Sequence, residues 1–316
     1  MIKADKCLLL AKLETTYGSD AAPTKTANAM FAMNVKVSGD WKKTERLAVS
    51  PNWGKYAPVV VGQGVKVNFE TELHPSSDGS AAPFMGCLLQ ACGMTETLGA
   101  PTVTYSAVLA YPPAKSVTLW FYISGLVHKV TGCIGTFKID MAVKETIKVS
   151  FDFTGLYSEP ADLTFVTDPT FPTTSPFIFK DVTVNYDSIT ALIGTAIGID
   201  IGNQIVMRDD WTAASGTKGY YIQDFKPKIT LNPETESVAT INFWNRLATQ
   251  DHGALSITIN NGSRDLSIQF ENTYVDTTDY GEKNGISTSL ITLISRPKTD
   301  DATHTPFVMV SVNINT

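Results

Sequence analysis

The pattern of apolar and polar positions is organised around residues 65–93, which read as a strand, a short loop and a helix. In VKVNFETEL, Val65, Val67, Phe69, Thr71 and Leu73 share one side, and Lys66, Asn68, Glu70 and Glu72 share the other. That is the period of a half-buried strand. After the turn-rich HPSSDGSAA, Pro83 suits a first helical turn, and Phe84, Cys87, Leu88 and Ala91 follow at i, i+3, i+4 and i+7. Gly93 ends the helix. The stretch therefore predicts a sheet covered by one helix.

The same plan recurs further along. Residues 1–30 read as an extended or partly helical lead-in, and residues 30–37 as a strand with Phe31, Met33, Val35 and Val37 alternating. Ser38 to Pro58 shows no clean period and reads as a long hairpin loop carrying Trp41, Trp53 and Tyr56. PTVTYSAVLA, SVTLWFY, LVHKV, CIGTFKIDMAV and IKVSFDF are strand candidates bounded by Gly, Pro or Ser. Pro160, Pro169, Pro172 and Pro176, in close succession after Gly155, mark a crossing between domains. Beyond it, 177–184 and 197–201 read as strands, and a second tryptophan-bearing loop, Met207 to Gly219, carries Trp211. DFKPKITL mirrors the organising strand, and VATINFWNRLATQ is a helix with Val238, Ile241, Trp244 and Ala248 on one face. ALSITI, DLSIQF and VMVSVNIN supply the later strands.

Lys228 stands to Lys66 at the organising strand almost as Val308 stands to Ile147 at the closing strand, the two offsets differing by a single position. So close an agreement points to tandem duplication. The predicted class is mainly β: two tandem related β-sandwich or barrel domains, each with one flanking α-helix. The expected division is an N-terminal arm over 1–30, a first β domain over 31–155, a proline-rich linker over 156–176 and a second β domain over 177–316.

Composition narrows the function. At 316 residues the chain exceeds the size at which single cores split. A formal charge of −6 argues against tight nucleic-acid binding, which needs clustered Lys and Arg. It is compatible with nucleic acid passing close by, because a conduit for DNA is expected to be neutral or negative. The apolar run from Cys7 to Ala11 is too short for a secretory core, and no window approaches a membrane span. Cys7, Cys87, Cys92 and Cys133 lack a disulfide-framework spacing, so reduced thiols in a protein made in a cytosol are expected.

A search for chemistry finds no catalytic, cofactor or metal site. His74, His128, His252 and His304 are scattered without metal-ligand spacing. Gly62 and Gly64 precede a strand instead of a helix, so they form no phosphate loop. No GxSxG elbow is present, and Asn261–Ser263 reads as a hairpin turn. The residual signal is Trp41, Trp53, Tyr56 and Trp211 in polar loops, where large apolar side chains either fold back on their own core or are buried by a partner. Those four are the candidate subunit or ring interface.

LLLAKLETTYGSDAAPTKTANAM, then VKVNFETEL and APFMGCLLQACGM, resembles the tail tube (major tail) proteins of long, non-contractile-tailed bacteriophages. GIDIGNQIVMRDDW, GYYIQDFKPKITLNPE and INFWNRLATQ are similar to that family's second half. The resemblance implies a structural virion protein without enzymatic activity or cofactor, made in the bacterial host cytoplasm and ending in the tail. It implies self-assembly into stacked rings whose inner wall is a continuous β-barrel. The tube houses the tape-measure protein, meets tail terminator and distal tail proteins, and conducts DNA without specific binding. A duplicated member closes a pseudo-sixfold ring with three chains instead of six. By segment, 65–73 and 226–231 would line the lumen, helices 83–92 and 238–250 would sit outside it, and the loops 38–58 and 207–219 would reach the adjacent ring. Two other readings stay open: a carbohydrate- or receptor-binding β-sandwich with Trp41, Trp53 and Trp211 as stacking platforms, and, ranked last, a hydrolase using Asp209, Asp210 or Glu234.

Overall fold

The computed structural model describes residues 6–49, 51, 54–77, 81–107, 115–187, 189–213, 215–260, 262, 264–296 and 308–313. The first part of the chain forms β1 (Cys7–Leu13), β2 (Ala29–Met30), β3 (Ala32–Arg46), β4 (Tyr56–Glu72), α1 (Gly86–Ala91), β5 (Met94–Gly99), β6 (Thr102–Ala107), β7 (Val117–Ile123), β8 (Leu126–Ala142), β9 (Lys148–Leu156) and β10 (Ala161–Asp162). The second part forms β11 (Val182–Tyr186), β12 (Gly194–Asp200), β13 (Asn203–Asp209), β14 (Thr217–Phe225), β15 (Lys228–Pro233), α2 (Phe243–Thr249), β16 (His252–Asn260), β17 (Arg264–Lys283), β18 (Ile286–Ser295) and β19 (Val308–Asn313). The chain is mainly β, as expected, and among the described residues it has two short helices and sheets that do not close on themselves.

One antiparallel pairing order occurs twice. In the first half it runs β1–β7–β8–β9–β4–β3. In the second it runs β11–β16–β17–β18–β15–β12. The organising strand keeps its partners, since Val67 faces Phe153 and Phe69 faces Phe151, as Ile229 faces Leu293 and Leu231 faces Ile291. The arm hairpins even share a bulge. Lys42 faces Gly62 and Lys43 faces Val60, and at the offset that separates Val67 from Ile229, Gln204 faces Asp224 and Ile205 faces Ile222. A bulge costs a ladder bond and bends its strand, so its repetition at one offset is a specific likeness.

The halves meet edge to edge where β12 pairs with β8. β19 adds a second link, lying between β6 and β17. Alternating side chains from both halves fill one core. Phe69, Phe151 and Phe153 stack at 5.5–6.0 Å, and Ile229, Ile257, Ile268 and Leu293 are fully buried. The opposite sheet face carries Lys66, Glu70, Lys138, Asp140, Lys148, Asp200 and Lys228 at the surface.

Several expectations are corrected. The lead-in takes the extended of its two readings and not the helical one: it contains β1, whose Leu8, Leu9, Leu10 and Ala11 are all buried, and a strand covered on both sides shows a continuous apolar run without alternation. Ser38 to Pro58 is mostly strand, because backbone pairing carries the hairpin out to Arg46 and Tyr56 with water on both faces and no core to impose a period. Met207 to Gly219 likewise shortens to a turn between β13 and β14.

The helices are also shorter than the sequence suggests. α2 begins after Asn242, whose side chain accepts from the Asn245 N–H and caps the helix, leaving Val238 outside it. α1 ends before Gly93, whose φ of +86° suits glycine. The closing strands are not counterparts: among the described residues β19 pairs with β17 and β6 and not with β15, and the strand standing to β15 as β9 stands to β4 is β18.

Candidate functional site

The best-defined polar and apolar contacts outside the common core cluster at the junction of the halves. β12 runs antiparallel to β8 with Ile197 facing Met141 and Ile199 facing Ile139 on the core side. On the other side Gly198 faces Asp140, and Lys138 Nζ meets Asp200 Oδ2 at 2.9 Å. That hydrogen bond raises the Lys138 pKa. Asn203, at the start of β13, donates from Nδ2 to the carbonyls of Cys92 (2.7 Å) and Gly135 (2.9 Å), satisfying one carbonyl left over at the end of α1. The Tyr17 hydroxyl donates to Gly132 O (3.1 Å) and accepts from Tyr220 N–H (2.7 Å), tying the lead-in to the β13–β14 hairpin. Tyr220 and Ile222 of that hairpin are buried.

The counterparts of these groups lie open. Among the described residues β3 pairs with β4 alone, so its other edge is bare. Residues 279–283 of β17 pair with β18 alone. Beside that second edge the rings of Trp244, on α2, and Tyr280 lie 5.7 Å apart, 47% and 63% exposed. Val59, Val60 and Val61, on the strand that corresponds to partly buried β14, are nearly half exposed. Consecutive exposed apolar residues beside an unpaired edge form a surface that another chain can complete.

The four residues singled out from sequence fall in different places. Trp41 lies within β3, its ring 4.9 Å from Tyr157. Tyr56 opens β4 beneath the Arg46 guanidinium, 5.4 Å away. Trp211 stands almost fully exposed on the β13–β14 turn, and Trp53 lies outside the described residues. Trp41 and Trp211 do not share a ring contact among the described residues. Sequence reasoning missed the 279–283 edge and Tyr280, and put Trp244 on one helical face with Val238, Ile241 and Ala248.

The remaining chemistry is sparse. The Asp210 carboxylate accepts from the Thr212 hydroxyl (2.6 Å) and N–H (2.9 Å), which holds its pKa below the ordinary value and makes it a weaker base. His74 is buried with Nδ1 donating to Thr174 O. Burial pushes the Cys92 and Cys133 thiols up. Among the described residues no group of His, Cys, Asp and Glu could hold a metal ion, and no helix is long and apolar enough to cross a membrane. A cleft of about 330 Å³ lined by Val143, Val182, Val184, Leu192, Ile197 and Leu231 contains no histidine or cysteine.

The sequence profile of one family, described as phage tail tube protein, matches residues 4–302. No curated protein matches the chain. The match runs through both pairing orders, their junction and both open edges, and the chain belongs to the phage tail tube protein family.

Proposed function

We propose that this tail tube protein assembles by repeating between chains the contact that joins its own halves, so that three chains close a ring of six related units. One observation carries the reading: a single pairing order occurs twice, the two copies joined through β8 and β12, with the counterpart edges bare at each end. A heterologous contact between those ends adds copies head to tail, and such contacts close into rings when the rotation permits. The two units are assigned to residues 31–155 and 177–316, with 1–30 as an arm and 156–176 as the linker.

Rings then stack into the tube of a long, non-contractile tail. The surface-facing side of the sheets, where Lys66, Lys138 and Lys228 interleave with Glu70, Asp140 and Asp200, is assigned to the passage. A wall of mixed sign releases few counterions from DNA, so DNA slides without being held. The same passage would enclose the tape-measure protein, with terminator and distal tail proteins at the ends. The β3–β4 and β13–β14 hairpins, carrying Trp41, Trp53, Tyr56 and Trp211, are assigned to contacts between rings. The protein carries no reaction, and its place is the virion tail.

Negative-stain microscopy of the purified chain over a concentration series tests the proposal. Rings and stacked tubes are expected as concentration rises. A particle that remains a single chain at every concentration overturns it and favours the sugar-binding reading.

A further inference from the structure

The β8–β12 junction is a template for a contact that one chain alone leaves unmade. We propose that β3 of one copy pairs antiparallel with residues 279–283 of β17 in a second copy, in the register β12 takes on β8, and that Val35 and Val37 then cover the Trp244–Tyr280 shelf. This rests on the assembly reading above and supplies its residue-level register.

The register follows from the repeated pairings. Val37 corresponds to Ile199, since Val37 faces Val67 as Ile199 faces Ile229. Ile139 corresponds to Tyr280 through their neighbours. Phe69 faces Phe151 as Leu231 faces Ile291, which matches β9 to β18 and sets Val149 against Ser289; Ile139 faces Val149, and Tyr280 faces Ser289. The pair Ile199–Ile139 therefore becomes Val37–Tyr280, and Gly198–Asp140 becomes Lys36–Gly281. Asp200–Lys138 becomes Ser38–Asp279.

Facing and charge agree with this register. Val35 and Val37 pack against the core of their own chain and are only half-buried. Period two puts Tyr280 on the core side with buried Thr278, so apolar meets apolar. On the other side a glycine faces a charged residue in both contacts, with the roles exchanged between strands. Lys36 also lies diagonal to Asp279, within reach of its long side chain.

Charge also disfavours pairing β3 with its own copy. Residues 279–283 of β17 carry Asp279 and Glu282 with Lys283 at the end, whereas Lys36 is the one charged residue in 34–38 of β3. Pairing residues 34–38 with their own copy about Lys36 sets like charges opposite one another, which is unfavourable. The heterologous contact sets unlike charges together and leaves both ends free to propagate.

Paired cysteines in the full chain, on a Cys7→Ser background, test the register. Directly opposite Cα atoms lie about 4.5–5.5 Å apart, within disulfide range, and positions two residues out of step lie about 7–8 Å apart, beyond it. Lys36→Cys with Gly281→Cys, oxidised with diamide, is expected to give covalent multimers on a non-reducing gel. Lys36→Cys with Asp279→Cys is expected to remain monomeric there. In the wild-type protein, amide exchange at 34–38 and 279–283 is expected to slow roughly tenfold or more on assembly.

Assemblies that link the displaced pair preferentially, or that leave exchange at both segments unchanged, overturn the register while the assembly reading stands. A wild-type chain that never leaves the monomeric state overturns both. Cysteine variants that fail to fold leave the decision to the wild-type exchange measurement.

Discussion

Tyr17 shows how a single side chain holds the two halves in place. Its hydroxyl links Gly132 O and Tyr220 N–H, and burial pushes its pKa up to about 12, so it stays a neutral donor across the working range. Tyr17→Phe leaves both backbone groups unpaired and is expected to cost about 1–3 kcal/mol in urea denaturation, with faster exchange at the Tyr220 amide. Lys138 acts at the same junction. Its folded-state pKa is raised by the Asp200 hydrogen bond, so its contribution is whole at neutral pH and is lost as pH climbs through the folded value, above 10.5. Both side chains are substantially exposed, so Lys138→Met is expected to cost no more than about 1 kcal/mol at pH 7. The gap between wild type and Lys138→Met should then close in strongly alkaline buffer. Neither contact is legible in the sequence, because a hydrogen bond between residues as far apart in the chain as Tyr17 and Tyr220 leaves no local pattern.

At the scale of elements, legibility follows solvent. Strands with one wet face, such as β4 and β9, announce themselves by alternation, and so do the inward positions Val67, Phe69, Phe151 and Phe153, which are all buried. The arm beyond Asp40 has water on both faces, and its strands read as loop for that reason. β18 escapes the sequence reading although Asn284 and Gly285, both at positive φ (55° and 82°), form the turn that leads into it. An Asn-Gly pair between strand-forming runs is a strong hairpin signal, and the sequence contains it. Deleting Trp41 to Tyr56 removes paired backbone but little buried side chain, so thermal unfolding is expected to change little. Micrographs of that variant should show separate rings in place of tubes; tubes of normal length would reassign the contact between rings to other surfaces.

At the scale of the whole molecule, the duplication is visible in part. The organising strands do correspond, Lys66 with Lys228, but the closing anchor, Ile147 with Val308, is a coincidence of pattern. The β5–β6 hairpin occupies residues 94–107 between α1 and β7, and the second half runs from α2 straight to β16. Corresponding strands beyond that point are therefore closer in sequence than the organising strands are, and a search at constant offset cannot find them. What survives is the order of pairing, and with it the expectation that copies join as the halves do. End-on electron micrographs of assembled protein, averaged for rotational symmetry and combined with the mass per ring, test that expectation most directly. A sixfold power spectrum with a ring mass three times the chain mass of 34.3 kDa is predicted. A sixfold ring containing six chains would contradict it.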